Sequence, residues 1–279
     1  MRQDSYFTAA RGTQLYYQVW RPAEIRGIVV LVHGIGEHSG RYESLTTALT
    51  KANFLVASFD HPGHGRSPGT RGHIQRWQDY GTNLDLFLQL IRQDYPQAPL
   101  FLYGHSLGAL IVVDYSLQCQ ALTGLIISGM PVCPAGRFGN PVLIAIARLL
   151  SQIWPTLTFK TKLDATLLSR DSARRQQYAR DPLVHSAVSV RWGAESLKAI
   201  ERIKYQAPKV SCPVLMLHGE ADQISLLEPA CQYFNRLGAA DKTLKIYAGG
   251  YHEPHNDLER EQVVQDLLDW LERQLEPRQ

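Results

Sequence analysis

The sequence is poor in the residues and patterns that mark several classes of protein. Only four cysteines occur in 279 residues, with neither metal-ligand spacing nor the density of a disulfide scaffold. No apolar run reaches the roughly eighteen residues that a membrane-spanning helix needs, and the first residues lack the apolar core of a signal peptide. Phosphate-binding and dinucleotide fingerprints are missing too. We therefore expect a cytoplasmic protein with reduced, mostly buried thiols and no metal or cofactor.

Charge and hydrophobicity are those of an ordinary globular chain. Lys and Arg number 29 against 26 Asp and Glu, and 44% of the residues are hydrophobic. A chain of this length is compatible with one α/β unit that carries an inserted subdomain. The near balance of charge does not favour a nucleic-acid partner.

Short apolar segments alternate with helical patterns along most of the chain. Alternation of this kind predicts an α/β fold with a mostly parallel central sheet flanked by helices on both faces. Helices are predicted at 84–92, at 107–117 and near the carboxyl end, where Val264, Leu267, Leu268, Leu271 and Leu275 form an apolar stripe. The predicted strands are Leu15–Trp20, Ile28–Val32, Phe54–Phe59, Leu100–Tyr103, Leu125–Ser128, Val214–Leu217 and Leu244–Ala248.

Gly104-His-Ser-Leu-Gly108 stands where a predicted strand meets a predicted helix. A serine flanked by glycines in this context is typical of a nucleophile elbow, because the glycines let the backbone turn sharply and lift Ser106 toward a ligand. The five-residue pattern alone arises by chance in roughly one chain in ten of this length. The prediction of a nucleophile therefore depends on the residues that follow.

A serine nucleophile at neutral pH needs a histidine base and a carboxylate that orients the histidine. Asp222 lies just past the strand predicted at 214–217, and His252 lies just past the strand predicted at 244–248. The chain order Ser106, Asp222, His252 is that of the α/β-hydrolase triad. We predict that these three residues are catalytic.

Other acids and histidines lie close to the same motifs. Glu220 is the rival acid and His255 the rival base. His33, His105 and His218 stand at strand ends and are interpreted as structural. Taken singly, each predicted site residue also fits a turn, a helix cap or an exposed loop, but the joint arrangement favours catalysis.

Oxyanion donors are expected from two loops. The buried-strand pattern at 27–32 runs into His33-Gly-Ile-Gly36. Acyl transfer passes through an oxyanion that two preset backbone N–H groups can stabilise. We assign these donors to Ile35 and to Leu107, the residue after the nucleophile.

Strand signals vanish after Met130, and helical signals take over until about Pro208. We predict a helical cap at 131–208, inserted after the sixth strand between core segments 1–130 and 209–279. The first cap helix, at 141–154, has one narrow polar stripe at Arg148, Ser151 and Gln152. We expect its wide apolar arc to pack on the main domain, the alternative being an acyl tunnel or a lipid surface.

Basic residues concentrate in the cap. Residues 156–209 hold 11 Lys and Arg against five Asp and Glu, whereas the rest of the chain holds 18 against 21. A basic cap would be attracted to anionic membrane surfaces, although a solvated surface explains the same counts. Peripheral membrane contact through the cap is therefore an open expectation.

With these residues in place, the chain resembles the monoacylglycerol lipase family of α/β-hydrolases over most of its length. The resemblance is strongest in the first two loops and continues through the elbow, the cap and the loop with the predicted base. The matching segments are His33-Gly-Ile-Gly-Glu-His-Ser-Gly-Arg-Tyr42, Asp60-His-Pro-Gly-His-Gly-Arg-Ser67, Ser169-Arg170, Asp181-Pro-Leu183, Asp241-Lys-Thr-Leu-Lys-Ile-Tyr247 and Gly250-Tyr-His252.

The resemblance implies a serine carboxylester hydrolase that cleaves a single-chain acylglycerol to fatty acid and glycerol through an acyl-enzyme. It also implies that Glu37, Arg41, Tyr178 and His255 form the polar, glycerol-binding end of the site. For Glu37 and Arg41, a surface ion pair at i, i+4 is the alternative. The chain departs from the family at His185, where the mammalian members have cysteine, so their acyl-length preference does not carry over.

The sequence leaves several other functions open. A lysophospholipase, or an esterase for shorter chains, would use the same triad. An aminopeptidase or acyltransferase is less favoured, because no carboxylate cluster for an amine stands out. A noncatalytic lipid-binding protein with this fold is disfavoured by the complete set of triad residues.

Overall fold

A large sheet forms the centre of the molecule in the computed structural model, which describes residues 1–119, 122–133, 140–161 and 164–276. Its strands are β1 (Arg2–Thr8), β2 (Gln14–Trp20), β3 (Gly27–Val32), β4 (Phe54–Phe59), β5 (Leu100–His105), β6 (Gly124–Ser128), β9 (Val214–Gly219) and β10 (Lys242–Tyr247). A separate antiparallel ribbon joins β7 (Thr158–Lys160) and β8 (Ala187–Ser189).

The eight strands lie in the order β1-β2-β4-β3-β5-β6-β9-β10. Strand β2 is antiparallel to both of its neighbours, and every other pair in this sheet is parallel. The predicted mostly parallel sheet is therefore confirmed. The parallel arrangement brings the carboxyl ends of β3, β5, β9 and β10 to one edge, where the predicted site residues follow.

Helices cover both faces of the sheet. They are α1 (Glu43–Lys51), α2 (Gln78–Arg92), α3 (Leu107–Ser116), α4 (Pro141–Ile153), α5 (Ser172–Arg180), α6 (Val190–Gln206), α7 (Leu227–Arg236) and α8 (Arg260–Leu275). Val29 and Leu31 of β3 join a core with α1 and α8, whereas Val30 and Val32 join a core with α2, α3 and α7. Because both faces are buried, the central strands are continuous apolar runs.

Several element boundaries differ from the sequence predictions. Strand β1 was not predicted, because Phe7 is its only buried residue and the others are exposed polar or aromatic side chains. The ribbon of β7 and β8 was also missed, since three-residue strands leave almost no pattern. In α8 the buried stripe passes through Val263, Leu267 and Trp270, so the predicted Val264 and Leu268 lie at its margin.

Between β6 and β9 the chain forms α4, α5, α6 and the short ribbon. Residues 134–139 and 162–163 of the predicted cap lie outside the described residues. Helix α6 is fixed to the body, because Arg202 makes two hydrogen bonds of 3.0 and 2.7 Å with Asp114 of α3. Ala199 and Ile203 of α6 are fully buried in the same core as α3.

Helix α4 leaves most of its apolar residues exposed. Its apolar arc faces outward, with Leu149 59% and Ile153 72% exposed, whereas Ser151 is buried. The expectation that the arc packs on the main domain is therefore wrong. The helix packs on α6 instead, and its less exposed residues are Ile144, Ala147, Leu150 and Ser151, beside an exposed Arg148–Glu201 pair at 3.4 Å.

The four cysteines are free and partly buried rather than mostly buried. Among the described residues, no grouping of His, Cys, Asp and Glu has the arrangement of a metal site. No helix in the described ranges combines the length and apolar character that a bilayer crossing requires.

Candidate active site

Ser106 lies in a strained turn between β5 and α3. Its φ of 53° and ψ of −115° place a side-chain-bearing residue in a backbone region that favours glycine. A Cβ atom on Gly104 would collide with the carbonyl oxygen of Gly108, and one on Gly108 with that of Val32. Both glycines are therefore required by close backbone approach, and this local geometry is that of a nucleophile elbow.

The structure brings the three predicted catalytic residues into one hydrogen-bonded line. His252 Nε2 lies 3.0 Å from Ser106 Oγ, and His252 Nδ1 lies 2.8 Å from Asp222 Oδ2. The other carboxylate oxygen of Asp222 accepts from the backbone N–H groups of Ile224 and Ser225 at 2.8 and 2.9 Å. Asp222 is thus held in place while it orients the imidazole, the arrangement that serine hydrolysis requires.

Electrostatics favour an ionised acid and a basic imidazole. Burial is the largest influence on the pKa of Asp222 and raises it, but His252 and the Ser225 N–H outweigh burial, so the pKa falls below its ordinary value. Burial lowers the pKa of His252, yet the charge of Asp222 and its hydrogen bond raise the net pKa above 6.5. The carboxylate thereby stabilises the imidazolium that forms when the serine loses its proton.

The loop after β3 lies directly against the nucleophile. A Cβ atom built on Gly34 would be 3.2 Å from Ser106 Cβ. His33 Nε2 accepts from the backbone N–H of His61 at 3.0 Å, so Nδ1 carries the proton and donates to Gly34 O at 2.7 Å. Since Gly34 O and the Ile35 N–H belong to the same peptide unit, this bond orients the predicted oxyanion donor.

The second predicted donor, the Leu107 N–H, lies at the first position of α3. The N–H groups of a first helical turn have no partner within the helix, and the helix dipole favours negative charge there. Ile35 and Leu107 thus come from two loops that meet at Ser106. Their role as oxyanion donors remains a prediction.

Glu37 and Arg41, predicted at the polar end of the site, are buried in an ion-pair cluster rather than exposed on the surface. Arg41 Nη1 lies 2.8 Å from Glu37 Oε2 and 2.7 Å from Glu253 Oε1, and Arg41 Nη2 lies 2.9 Å from Glu253 Oε2. Glu37 Oε1 accepts from the Gly34 N–H and from Tyr42 Oη, each at 2.6 Å. The surface ion pair considered as the alternative is therefore excluded.

The two carboxylates of this cluster differ in acidity. Burial raises the pKa of Glu37 and outweighs the nearby Arg41 charge. The paired contact with Arg41 overcomes burial at Glu253 and lowers its pKa to about 2. With Glu37 ionised the three side chains sum to one negative charge, and with Glu37 protonated they are neutral. In neither state is the cluster positively charged.

Tyr178 and His255 border this cluster. The Arg41 guanidinium lies 4.6 Å from the centre of the Tyr178 ring, and His255 stacks on Tyr42 with ring centres 4.8 Å apart. Burial lowers the pKa of His255 to about 4, so this imidazole is neutral at physiological pH. All four predicted polar-end residues therefore lie together.

A polar cavity of about 50 Å³ opens beside Arg41. Arg174, Tyr178 and Asn256 contribute to its lining, as do Glu43 and Asp181. Since Arg41 and Tyr178 line it, this cavity lies next to the predicted head-group end of the site.

The rival acid and base lie elsewhere. Glu220 is exposed and accepts from the Gly249 N–H at 2.8 Å. His255 Nδ1 is paired with Tyr103 Oη at 3.5 Å, and the hydrogen bond to Ser106 comes from His252. His218 donates to Ser225 O at 2.7 Å, which supports the loop that carries Asp222.

Two further acidic residues of the site were not predicted from the sequence. Glu253 follows the predicted base directly, and Asp257 accepts from the Tyr251 N–H at 2.8 Å and the Arg170 N–H at 2.7 Å. Asp257 thus connects the loop of His252 with Arg170, near the middle of the predicted cap. Their proximity to His252 was the available signal, but their ion-pair partners, Arg41 and Arg170, lie 212 and 87 residues away.

Segments of the predicted cap close over the oxyanion loop. The His185 N–H donates to Gly36 O at 2.8 Å, and His38 Nε2 lies 2.9 Å from Asp181 Oδ2. Ser106 itself is 8% exposed.

The sheet topology, the elbow and the ordered line of serine, histidine and aspartate define an α/β-hydrolase. Residues 23–259 match the model of the serine aminopeptidase S33 family. The chain is 32% identical over 273 residues to a monoacylglycerol lipase of Mycolicibacterium smegmatis, with 97% of each chain covered. The protein therefore belongs to the serine aminopeptidase S33 family, in the branch that contains the monoacylglycerol lipases, and it is a carboxylic ester hydrolase.

A solved structure and a longer relative are also similar to this chain. The monoacylglycerol lipase of Paleococcus ferrophilus superposes with a TM-score of 0.86 at 35% identity, covering 93% of this chain and 99% of that one. An uncharacterized abhydrolase domain-containing protein of Dictyostelium discoideum is 32% identical over 267 residues, and the match covers 94% of this chain but 28% of that protein.

Proposed function

We propose that the protein hydrolyses monoacylglycerols to fatty acid and glycerol, with Ser106 as nucleophile. The observation that carries the proposal is the 3.0 Å contact between His252 Nε2 and Ser106 Oγ, with Asp222 behind the imidazole at 2.8 Å. The names of the M. smegmatis and P. ferrophilus relatives support this substrate class.

The reaction follows from the roles of the named groups. His252 removes the Ser106 proton while Oγ attacks the ester carbonyl, and the Ile35 and Leu107 N–H groups bind the oxyanion. The intermediate collapses as His252 protonates the departing glycerol oxygen, which leaves an acyl-enzyme. Water, deprotonated by the same imidazole, then attacks the acyl carbon, and the proton returns to Ser106 as the fatty acid leaves.

The cluster of Glu37, Arg41 and Glu253 supports a neutral head group. Because the cluster is negative or neutral, it offers no net attraction to a phosphate. Glu37, Arg41, Tyr178 and His255 are proposed to surround the glycerol hydroxyls, with His255 neutral at working pH. This charge balance favours a monoacylglycerol over a lysophospholipid, although the basic residues of the cap would attract the latter.

The substrate class is tested by comparing kcat/KM for monoacylglycerols of several chain lengths with that for diacylglycerols, triacylglycerols and lysophosphatidylcholine. The expected order places monoacylglycerols first. Faster turnover of lysophosphatidylcholine would reject the proposed head group and favour the lysophospholipase. Ser116→Ala, which removes a hydroxyl bonded within α3 to Val113 O, is the matched control for nucleophile variants.

We also propose that residues 131–208 act as a lid between the core segments 1–130 and 209–279. The buried Ser106 and the contacts of His185 and Asp181 with the oxyanion loop support a closed lid in this structure. The Arg202–Asp114 pair fixes α6, so we propose that the mobile part lies before it. The outward arc of α4 is proposed to rest on an anionic membrane surface that supplies the substrate.

A further inference from the structure

Glu253 is a buried residue that is held by hydrogen bonds of its backbone and of both carboxylate oxygens. It is 2% exposed, and its backbone N–H donates to Leu168 O at 2.9 Å. Both side-chain oxygens bind Arg41, and Oε2 also accepts from Asn256 Nδ2 at 2.8 Å. A buried carboxylate is costly unless it is paired in this manner. The residue directly after the predicted base is therefore anchored to the loop that begins at His33.

From Arg41 the hydrogen bonds continue to the nucleophile. Arg41 binds Glu37, and Glu37 Oε1 accepts from the Gly34 N–H at 2.6 Å. Gly34 lies against Ser106 and immediately precedes the predicted oxyanion donor Ile35. An unbroken chain of charged and backbone groups therefore joins the loop of the base to the loop of the oxyanion donors.

We propose that Glu253 is a positioning residue that holds the oxyanion loop in register with His252 by way of Arg41 and Glu37. The inference rests on the proposed function, because it concerns the same serine and histidine. The proposed role affects cleavage of the ester bond and not recognition of the alcohol part of the substrate. The negative charge of the Glu253 carboxylate also acts on His252 through space, as do the charges of Asp222 and Glu37. The neutral ring of His105 lies against the His252 ring.

Electrostatics give the proposal a second, independent consequence. The negative charge of Glu253 contributes to raising the pKa of His252, after the larger contributions of burial and Asp222. Removal of that charge must therefore lower the pKa of the imidazole, and the acid limb of kcat/KM must move to lower pH. This shift reports the charge of Glu253, whereas a fall in kcat reports its position.

The test compares Glu253→Gln with the wild type on two esters, p-nitrophenyl butyrate, which lacks glycerol, and a monoacylglycerol. The Gln amide would point an N–H at the guanidinium, so Arg41 would lose half of its paired contact. We expect kcat to fall roughly tenfold to a hundredfold on both esters, the cost of a small misplacement of catalytic groups. KM should change little, and the midpoint of the acid limb of kcat/KM should move to lower pH.

Two variants separate positioning from a general loss of stability. Glu253→Asp keeps the charge but shortens the reach, so kcat should fall while the acid-limb midpoint stays near that of the wild type. Asp79→Asn weakens the ion pair between Asp79 of α2 and Arg11, which lies outside the proposed lid and lacks any contact with the triad among the described residues. This control should lower the free energy of unfolding and leave kcat and the midpoint unchanged.

The outcomes are distinguishable from failure of the proposed function. A wild type inactive on both esters rejects the proposed function itself. An active wild type and a Glu253→Gln variant with unchanged kcat would overturn the positioning role. So would a rise in KM on the monoacylglycerol with kcat unchanged on both esters, because that result would give Glu253 a role in head-group binding alone.

Discussion

Helices α3 and α4 have similarly apolar sequences and opposite environments. The first eight residues of α3, Leu107 to Asp114, are all buried between the sheet and its neighbouring helices. In α4, Val142, Leu143, Ile146, Leu149 and Ile153 are between 48% and 72% exposed. Apolar composition thus predicts that a helix surface will be covered, but it does not identify the partner that covers it. In α3 the cover is the protein's own core, and for α4 we propose a lipid surface.

The largest expected effect lies in the α3 region, where the elbow meets the acid and base. Asp222→Asn should reduce kcat about ten-thousandfold, as in other serine hydrolases, because an amide N–H facing His252 Nδ1 selects the wrong tautomer. Steady-state kinetics on p-nitrophenyl butyrate measure the loss, and circular dichroism checks the fold. A loss below tenfold would reject Asp222 as the orienting acid. Leu149→Glu in α4 should leave the same kinetics unchanged.

Matched truncations in the two helices should separate their contributions to stability. Ile111→Ala removes a side chain that is 1% exposed and should cost about 2 to 5 kcal/mol of unfolding free energy. Ile146→Ala removes one that is 48% exposed and should cost less than about 0.5 kcal/mol. Urea unfolding measures both values. Similar costs for the two variants would mean that α4 is covered within this molecule.

A smaller effect is expected for lipid binding. Leu149→Glu places a charge in the outward arc of α4 and should weaken binding to anionic phospholipid vesicles about tenfold, which corresponds to about 1.4 kcal/mol of lost burial. Vesicle sedimentation measures the change, and hydrolysis of a water-soluble ester controls for damage to the site. Unchanged sedimentation would reject the membrane role of this arc.

The smallest expected effect is a gradual dependence of kcat/KM on pH. It arises from His252 in the active site, and α4 does not contribute to it. Only neutral His252 can accept the serine proton, and its folded-state pKa is raised above 6.5. Activity, measured as kcat/KM, should therefore rise with pH to a midpoint above 6.5, in the wild type and in Leu149→Glu alike. A flat profile from about pH 5 to pH 8 would contradict His252 as base.

The sequence predicted the central sheet well, because buried parallel strands are continuous apolar runs bounded by turn residues. It failed at β1, whose mostly exposed side chains leave no such run, and it misplaced the environment of α4. Amphipathic patterns identify an apolar face, but the partner of that face is a tertiary property. Only the part of α4 with Ile144, Ala147, Leu150 and Ser151 is withdrawn from solvent, where the helix packs on α6.

Site residues that follow strand ends could be predicted from chain order alone. Parallel strands bring their carboxyl ends together, so Ser106, Asp222 and His252 needed no information beyond the strand assignments. Glu253 could not be found in this manner, since its partner Arg41 lies 212 residues away and no periodic pattern links them. Long-range ion pairs of this kind become visible only when the loops are placed in space.

The central claim, that Ser106 is made nucleophilic by His252, is tested most directly by covalent labelling with a fluorophosphonate probe, followed by mass spectrometry of the modified peptide. The account predicts one rapid modification, on Ser106, that is lost in Ser106→Ala, slowed at least about a thousandfold in His252→Ala, and unchanged in Ser116→Ala. Modification of another residue, or full ester hydrolysis by Ser106→Ala, would contradict it.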